Sequence, residues 1–272
     1  MSPLSQRTRI PLVLIVILLA QTASAHEARE IARKILEAQG GAEPWQAAPT
    51  ISYDHELIFG GQGMPWISRE VVDRATRRVY QDWPNQGSKL AYDGNAVWTV
   101  DWNLGNPPKV MPYLTFNTIT APWLLLLPDV EVDGASTGKL PGDETEYVTV
   151  TLRLPQDPAR PPVAVYYKMY ADPRSYALRA TAYAVNYGAL LDGMGLPSDV
   201  AELGPMIHVF DEWTDVDGLR LPVKYHTIGA DGGIYGQHTV KNWALDRKFD
   251  EARMNRPENG VLDMSSHLRA KK

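Results

Sequence analysis

Apolar residues recur along this chain with two different periods, and the change of period divides it. In "HEAREIARKILEAQGG", residues 26–41, Ala28, Ile31, Ala32, Ile35 and Leu36 fall at helical spacing, while Glu30, Arg33, Lys34 and Glu37 lie elsewhere. The spacing predicts one amphipathic helix, stopped by Gly40-Gly41. From Ile51 onward the period is two. In "ISYDHELIF" Ile51, Tyr53, Leu57 and Phe59 share a face, and in "YVTVTLRL" Val148, Val150, Leu152 and Leu154 do the same. Similar runs at 66–82, 87–93, 96–103, 163–171, 176–187, 206–214, 219–227 and 233–246 are divided by turn signals at Asp93-Gly94-Asn95, Asp172-Pro173-Arg174, Asp217-Gly218 and Asp231-Gly232-Gly233. Runs joined by such short turns are antiparallel neighbours. The expected fold is α+β: one helix followed by one large, strongly curved antiparallel β-sheet.

Two segments break the alternation. One, 188–205, is a Gly- and Pro-rich connection with apolar residues of its own. The other, 104–129, leads into "TITAPWLLLLPDV", residues 118–130. Its four leucines, Leu124 to Leu127, sit between Pro122 and Pro128, far short of the roughly 20 apolar residues that span a bilayer. They are too apolar for a surface loop, so the segment is expected to be helical and buried. Long insertions in compact domains often serve as lids or binding loops.

The first 25 residues stand apart. Arg7 and Arg9, the apolar run from Ile10 to Ala20 and the small residues Ala23-Ser24-Ala25 form a signal peptide with cleavage expected after Ala25. The mature chain, 26–272, is expected to be a single exported domain, placed in the periplasm. Loss of Arg7 and Arg9 leaves 25 basic against 32 acidic residues, a net charge of −7, which disfavours a nucleic-acid partner. There is no cysteine, hence no disulfide, thiol nucleophile or lipidated N-terminal cysteine.

Catalytic signatures are scarce. Gly60-Gly61-Gln62-Gly63 joins two strands instead of opening a helix, and reads as a turn rather than a phosphate site. Asp215-Val216-Asp217-Gly218 lacks the further ligands of a calcium loop. His208, His226 and His238 lie in neighbouring strands, where a metal cluster is the sharp alternative to ordinary hydrogen-bonded histidines. The expectation is no metal, no cofactor and no catalytic residue. What remains is an apolar surplus: Trp66, Trp98, Trp102, Trp123, Trp213 and Trp243, with Met111, Tyr113, Phe116 and the leucines of the insertion. Such a set either packs as ordinary core or lines a cavity.

"KLAYDGNAVWTVD" (89–101), "DVDGLRLPVKYHT" (215–227) and "NWALDRKFDEARMNRP" (242–257) resemble turn and closing-strand signatures of the periplasmic lipoprotein-sorting-protein-like (LolA/LolB-like) superfamily. The resemblance implies an incomplete β-barrel wrapped around the N-terminal helix and a mid-chain helical insertion over 112–127. It implies an apolar cavity for a lipid, lipoprotein acyl chains or a similar hydrophobic ligand. Trp123, Leu124, Leu125, Leu126 and Leu127 are its first candidate lining residues, Trp98 and Trp102, expected on one side of a strand, its second, with Tyr113 and Phe116 beside them. Donor and acceptor proteins of the inner or outer membrane are the implied partners of a monomeric, non-catalytic carrier. The alternatives are a periplasmic enzyme acting on a hydrophobic substrate or through a histidine-bound metal, and an envelope sensor or assembly factor with no ligand.

Overall fold

A computed structural model describes residues 12–60, 63–157, 161, 164–245 and 248–266, with side chains described from Ala25 onward. Helix α1 (Leu12–Ala38) continues through the predicted cleavage point, and the start of the expected leader, residues 1–11, lies outside the described residues. Among the described residues no helix is long and apolar enough to cross a membrane. Ala28, Ala32, Ile35 and Leu36 are buried as the helical spacing predicts, and Ile31 packs beside them. The Gly-Gly stop closes α1 through Gly41 N donating to Leu36 O at 3.0 Å and Gly40 N to Glu37 O at 3.1 Å. Gly40, at φ 108°, also lies against the turn at Gly218: a Cβ there would stand 2.1 Å from the Gly218 carbonyl oxygen. A short helix α2 (Glu43–Ala47) follows.

Among the described residues the strands form one antiparallel sheet of 13, in the order β13-β5-β4-β3-β2-β1-β12-β11-β10-β9-β8-β7-β6. In chain order the strands are β1 (Thr50–Phe59), β2 (Trp66–Asp73), β3 (Arg78–Trp83), β4 (Ser88–Tyr92), β5 (Val97–Val100), β6 (Glu131–Gly138), β7 (Tyr147–Arg153), β8 (Tyr166–Ala171), β9 (Leu178–Val185), β10 (Leu203–Val216), β11 (Leu219–Ile228), β12 (Ile234–Ala244) and β13 (Val261–Leu262). Most neighbours in sequence pair as hairpins; two pairings are long-range, β1 with β12, which joins the two halves, and β13 with β5 at one edge. The sheet remains open, with β13 and β6 as its edges, so the barrel is incomplete and the fold is the expected α+β curved sheet.

The run expected at 66–82 is two strands, not one. Asp73 caps a turn between them, Oδ1 accepting from the amides of Ala75 at 3.1 Å and Thr76 at 3.2 Å, with Arg77 at φ 57°. Strand β6, unforeseen, is polar, mostly exposed and bent by Gly134. The sheet's inner face carries the main core: α1 packs over β6 and β7, and the insertion fills the rest. That insertion is helical, as α3 (Met111–Ile119) followed by a 3₁₀ segment, Ala121–Leu126. The connection at 188–205 forms a short helix, α4 (Gly188–Gly193), and then a loop.

Candidate functional site: a polar-backed apolar cavity

Helix α3 divides the concavity. Tyr113, Phe116, Asn117 and Thr120, at helical spacing on and just beyond α3, turn toward α2 and a cleft of about 60 Å³. Met111, Leu114 and Thr115 turn the other way, into a cavity of about 200 Å³. Leu57, Phe59, Trp66, Trp83 and Met206 complete the apolar part of that larger cavity.

The expected lining residues fall into three groups. Tyr113, Phe116, Trp123, Leu124 and Leu127 meet at the smaller cleft. There Trp123 stacks on Trp45 with centroids 4.7 Å apart and donates Nε1–H to Gly41 O at 2.8 Å. Trp45 in turn lies under the Arg74 guanidinium at 4.5 Å, so this end of the insertion is pinned. Leu125 and Leu126 are half-buried against the core. Trp98 and Trp102 do not share a side. Trp102 packs edge-on against Trp83, whereas Trp98 joins Tyr80 and Ala91 in a separate outer cluster. β5 ends at Val100 and Asp101 adopts φ 49°, which breaks the alternation between the two tryptophans. Trp98 therefore lies away from both cavities.

The back wall of the larger cavity is polar. His55 on β1, His208 on β10 and His238 on β12 are all buried and meet there, with rings 5.2 Å apart for the pairs His55–His238 and His208–His238. His55 Nε2 and His238 Nδ1 are 2.9 Å apart, so one donates to the other. His238 Nε2 bonds Thr227 Oγ1 at 2.7 Å, Tyr225 OH reaches His55 Nε2 at 3.0 Å, and Tyr183 OH lies 3.4 Å from His208 Nε2. Burial holds these imidazoles neutral, pushing His55 down to about 4 and His208 to about 3; His238 is lowered by burial and by His55 and His208. Beside them Glu70 is buried, accepting from Tyr53 OH at 2.8 Å, Ser68 Oγ at 2.8 Å and Gln81 Nε2 at 2.9 Å. Burial raises its pKa, and the three donors oppose the rise.

The cluster drawn from sequence, His208/His226/His238, is not formed. His226 faces the other way and bonds Asp211 Oδ2 at 2.7 Å, because on β11 it alternates with the inward Tyr225 and Thr227. His55 takes its place. Among the described residues no three His, Asp or Glu side chains are arranged to hold a metal ion. The nearly parallel rings of His55 and His238, 15° apart, spend their facing nitrogens on each other. Strand alternation puts His55 on the face of Tyr53 and Leu57, a signal in the sequence that could have found it.

No family model and no curated protein matches the chain. Solved structures do. A putative outer membrane lipoprotein-sorting protein domain from Vibrio parahaemolyticus superposes with a TM-score of 0.50 at 10% identity, covering 85% of this chain and 97% of its own. A LolA superfamily protein from Nitrosomonas europaea gives 0.48 at 10% identity, over 86% and 98%. A DUF1329 family protein from Desulfovibrio piger gives 0.48 at 9%, over 85% and 97%. The fold is LolA-like; identities this low speak to the fold alone.

Proposed function

We propose that the chain is a periplasmic, non-catalytic binding protein or carrier for a hydrophobic ligand, a lipid or lipoprotein acyl chains, acting after residues 1–25 are removed. One arrangement supports this: the inner face of an open sheet is covered by a short helix that gives apolar side chains to a cavity on each side. Covering an acyl chain removes apolar surface from water, worth roughly 25 cal/mol per Å² before ordering costs. The two cavities, about 200 and about 60 Å³, are together smaller than the roughly 300–1,000 Å³ of drug-sized ligand sites. Ligand entry therefore requires α3 to move, joining the two spaces, and Met111 and Met206 are adaptable fillers. Membrane donor and acceptor proteins would be the partners of such a carrier.

An enzyme working in the same cavity is less well supported. The pair best suited to it is Thr227 Oγ1 and His238 Nε2, 2.7 Å apart. Burial leaves that imidazole a weak base, and Ser68 is committed to Glu70.

The test is saturable uptake of N-phenyl-1-naphthylamine, an uncharged fluorophore, together with native mass spectrometry of the exported protein and organic extraction of its ligand. Leu114→Trp, which fills the larger cavity, is expected to abolish uptake at a stability cost of about 1–3 kcal/mol. A folded wild-type protein that takes up nothing and carries nothing would sink the proposal.

A further inference from the structure

The larger cavity holds more polar atoms than its own hydrogen bonds consume. Glu70, Ser68, Thr227 and His238 are satisfied among themselves and their neighbours, and His55 bonds His238 and Tyr225 through Nε2. His208 Nδ1 and Asn106 Oδ1, on two lining residues, are buried without a partner. So is Oε1 of Gln81, whose Nε2 already donates to Glu70 and to Met111 O. A buried polar atom left unmatched costs as much as a broken hydrogen bond, and native cores hold few of them.

The missing partner can be specified from the atoms that lack it. Asn106 Oδ1 and Gln81 Oε1 are carbonyl oxygens and need a donor. His208 Nδ1 donates or accepts according to the tautomer, and a hydroxyl meets it in either case. Among the described residues no Lys or Arg lines the cavity, and Glu70 does. A carboxylate or phosphate head would add acceptors, and a charge with nothing to balance it. An ammonium head would bury a charge beside a carboxyl whose oxygens are already taken by Tyr53, Ser68 and Gln81. The apolar wall formed by Leu57, Phe59, Leu114 and Met206 suits the rest of such a ligand. We infer that this cavity seats the uncharged hydroxyl head of an otherwise apolar molecule, with Asn106 Oδ1 and His208 Nδ1 as its hydrogen-bonding partners. The inference rests on the hydrophobic-ligand function proposed above and names the chemistry of the ligand's head.

Calorimetric titration of the full chain at pH 7.5 with 1-decanol, decyl methyl ether, decanoate and decylamine tests it. The ether keeps the chain and the oxygen but has lost the donor. Decanol is expected to bind about tenfold more tightly than the ether, and more tightly than either charged ligand. Asn106→Leu and His208→Phe are each expected to shrink the decanol–ether gap to about twofold or less. The ligand series on the unaltered protein stands even if His208→Phe fails to fold. Equal affinity for alcohol and ether, as when water already fills the polar wall, overturns the hydroxyl seat, as does tighter binding of decanoate or decylamine. Either result leaves the hydrophobic-ligand function standing if N-phenyl-1-naphthylamine is still taken up. Failure of all four ligands and of the fluorophore overturns both.

Discussion

Acidification should destabilise this fold well before its carboxylates titrate, and the histidine cluster sets the size of the effect. In the unfolded chain each imidazole has a pKa near 6.5. In the folded chain burial holds His55 at about 4 and His208 at about 3. Between those limits the unfolded state binds protons that the folded state does not, so stability falls as pH falls. It is intact above about pH 6.5 and declines by about 1.4 kcal/mol per pH unit for each histidine until the folded pKa is reached. From pH 7 to pH 5 the loss is roughly 2 kcal/mol per histidine, or roughly 4 kcal/mol for His55 and His208 together. His238, also lowered, acts in the same direction. Glu70, raised by burial, opposes them, since its folded form takes up a proton at a higher pH than the unfolded chain does. Tyr183 and Tyr225, which also face the cluster, are raised by burial and stay neutral across this range. Domains of this kind are stable by about 5–15 kcal/mol in total, so the loss is a large part of the whole. Urea denaturation at pH 7, 6 and 5 reads it directly, and the His55→Gln/His208→Gln double variant should lose most of the slope whatever its stability at pH 7. A wild-type change below about 1 kcal/mol between pH 7 and 5, or an unchanged slope in the double variant, would refute the assignment of neutral buried imidazoles.

Two further perturbations probe the packing that frames the cavities. Trp123→Ala removes the stack on Trp45 and the bond to Gly41 O and should cost about 3–5 kcal/mol in urea denaturation; a cost below about 1 kcal/mol would show that the 3₁₀ segment is not pinned there. Gly40→Ala meets both an unfavourable φ of 108° and the Gly218 carbonyl 2.1 Å from the new Cβ, whereas Gly41→Ala at φ 79° meets nothing within 4 Å. The first should lower the thermal midpoint clearly more than the second, whose backbone strain alone is worth about 1–2 kcal/mol, and equal shifts would remove the helix–turn contact from the account.

The parts of the fold legible in sequence are those whose chemistry is local. Asp217-Gly218 has φ values of 49° and 87°, the left-handed pair that joins twisted antiparallel strands. The helix stop at Gly40-Gly41 is equally local. The turn after Asp73 contains neither Gly nor Pro and is made by a side chain accepting backbone amides, so 66–82 reads as one run. Strand β6, "EVDGASTG", is an edge strand with little to bury, and its alternation is correspondingly faint. The insertion's helicity and burial could be read from its prolines and leucines. Which of its faces meets the larger cavity could not, because Met111 and Leu114 differ from Phe116 and Leu124 only in the direction they leave α3 and the segment after it. The histidines were the hardest. His55 and His238 are 183 positions apart and meet only because β1 pairs with β12 across the middle of the sheet, a contact that no local pattern encodes.

That polar wall also bears on what the interior is for. A core shaped only for stability would fill this space with leucine and phenylalanine. Burying three imidazoles and a carboxyl is costly unless every polar atom is matched, and here His208 Nδ1 and Asn106 Oδ1 are not. The matched members explain how the cluster is tolerated: Thr227, Tyr225, Tyr53, Ser68 and Gln81 supply its bonds. They do not explain why residues around a cavity carry unmatched buried atoms instead of apolar side chains of the same size. A ligand that completes those bonds does, because the free energy forfeited in the empty protein is recovered only when the correct head group enters, and an alkyl chain without it recovers nothing at that wall. Discrimination by unmatched atoms is stronger than discrimination by apolar shape, which is why the hydroxyl comparison, more than affinity for grease as such, decides whether this cavity has a chosen ligand.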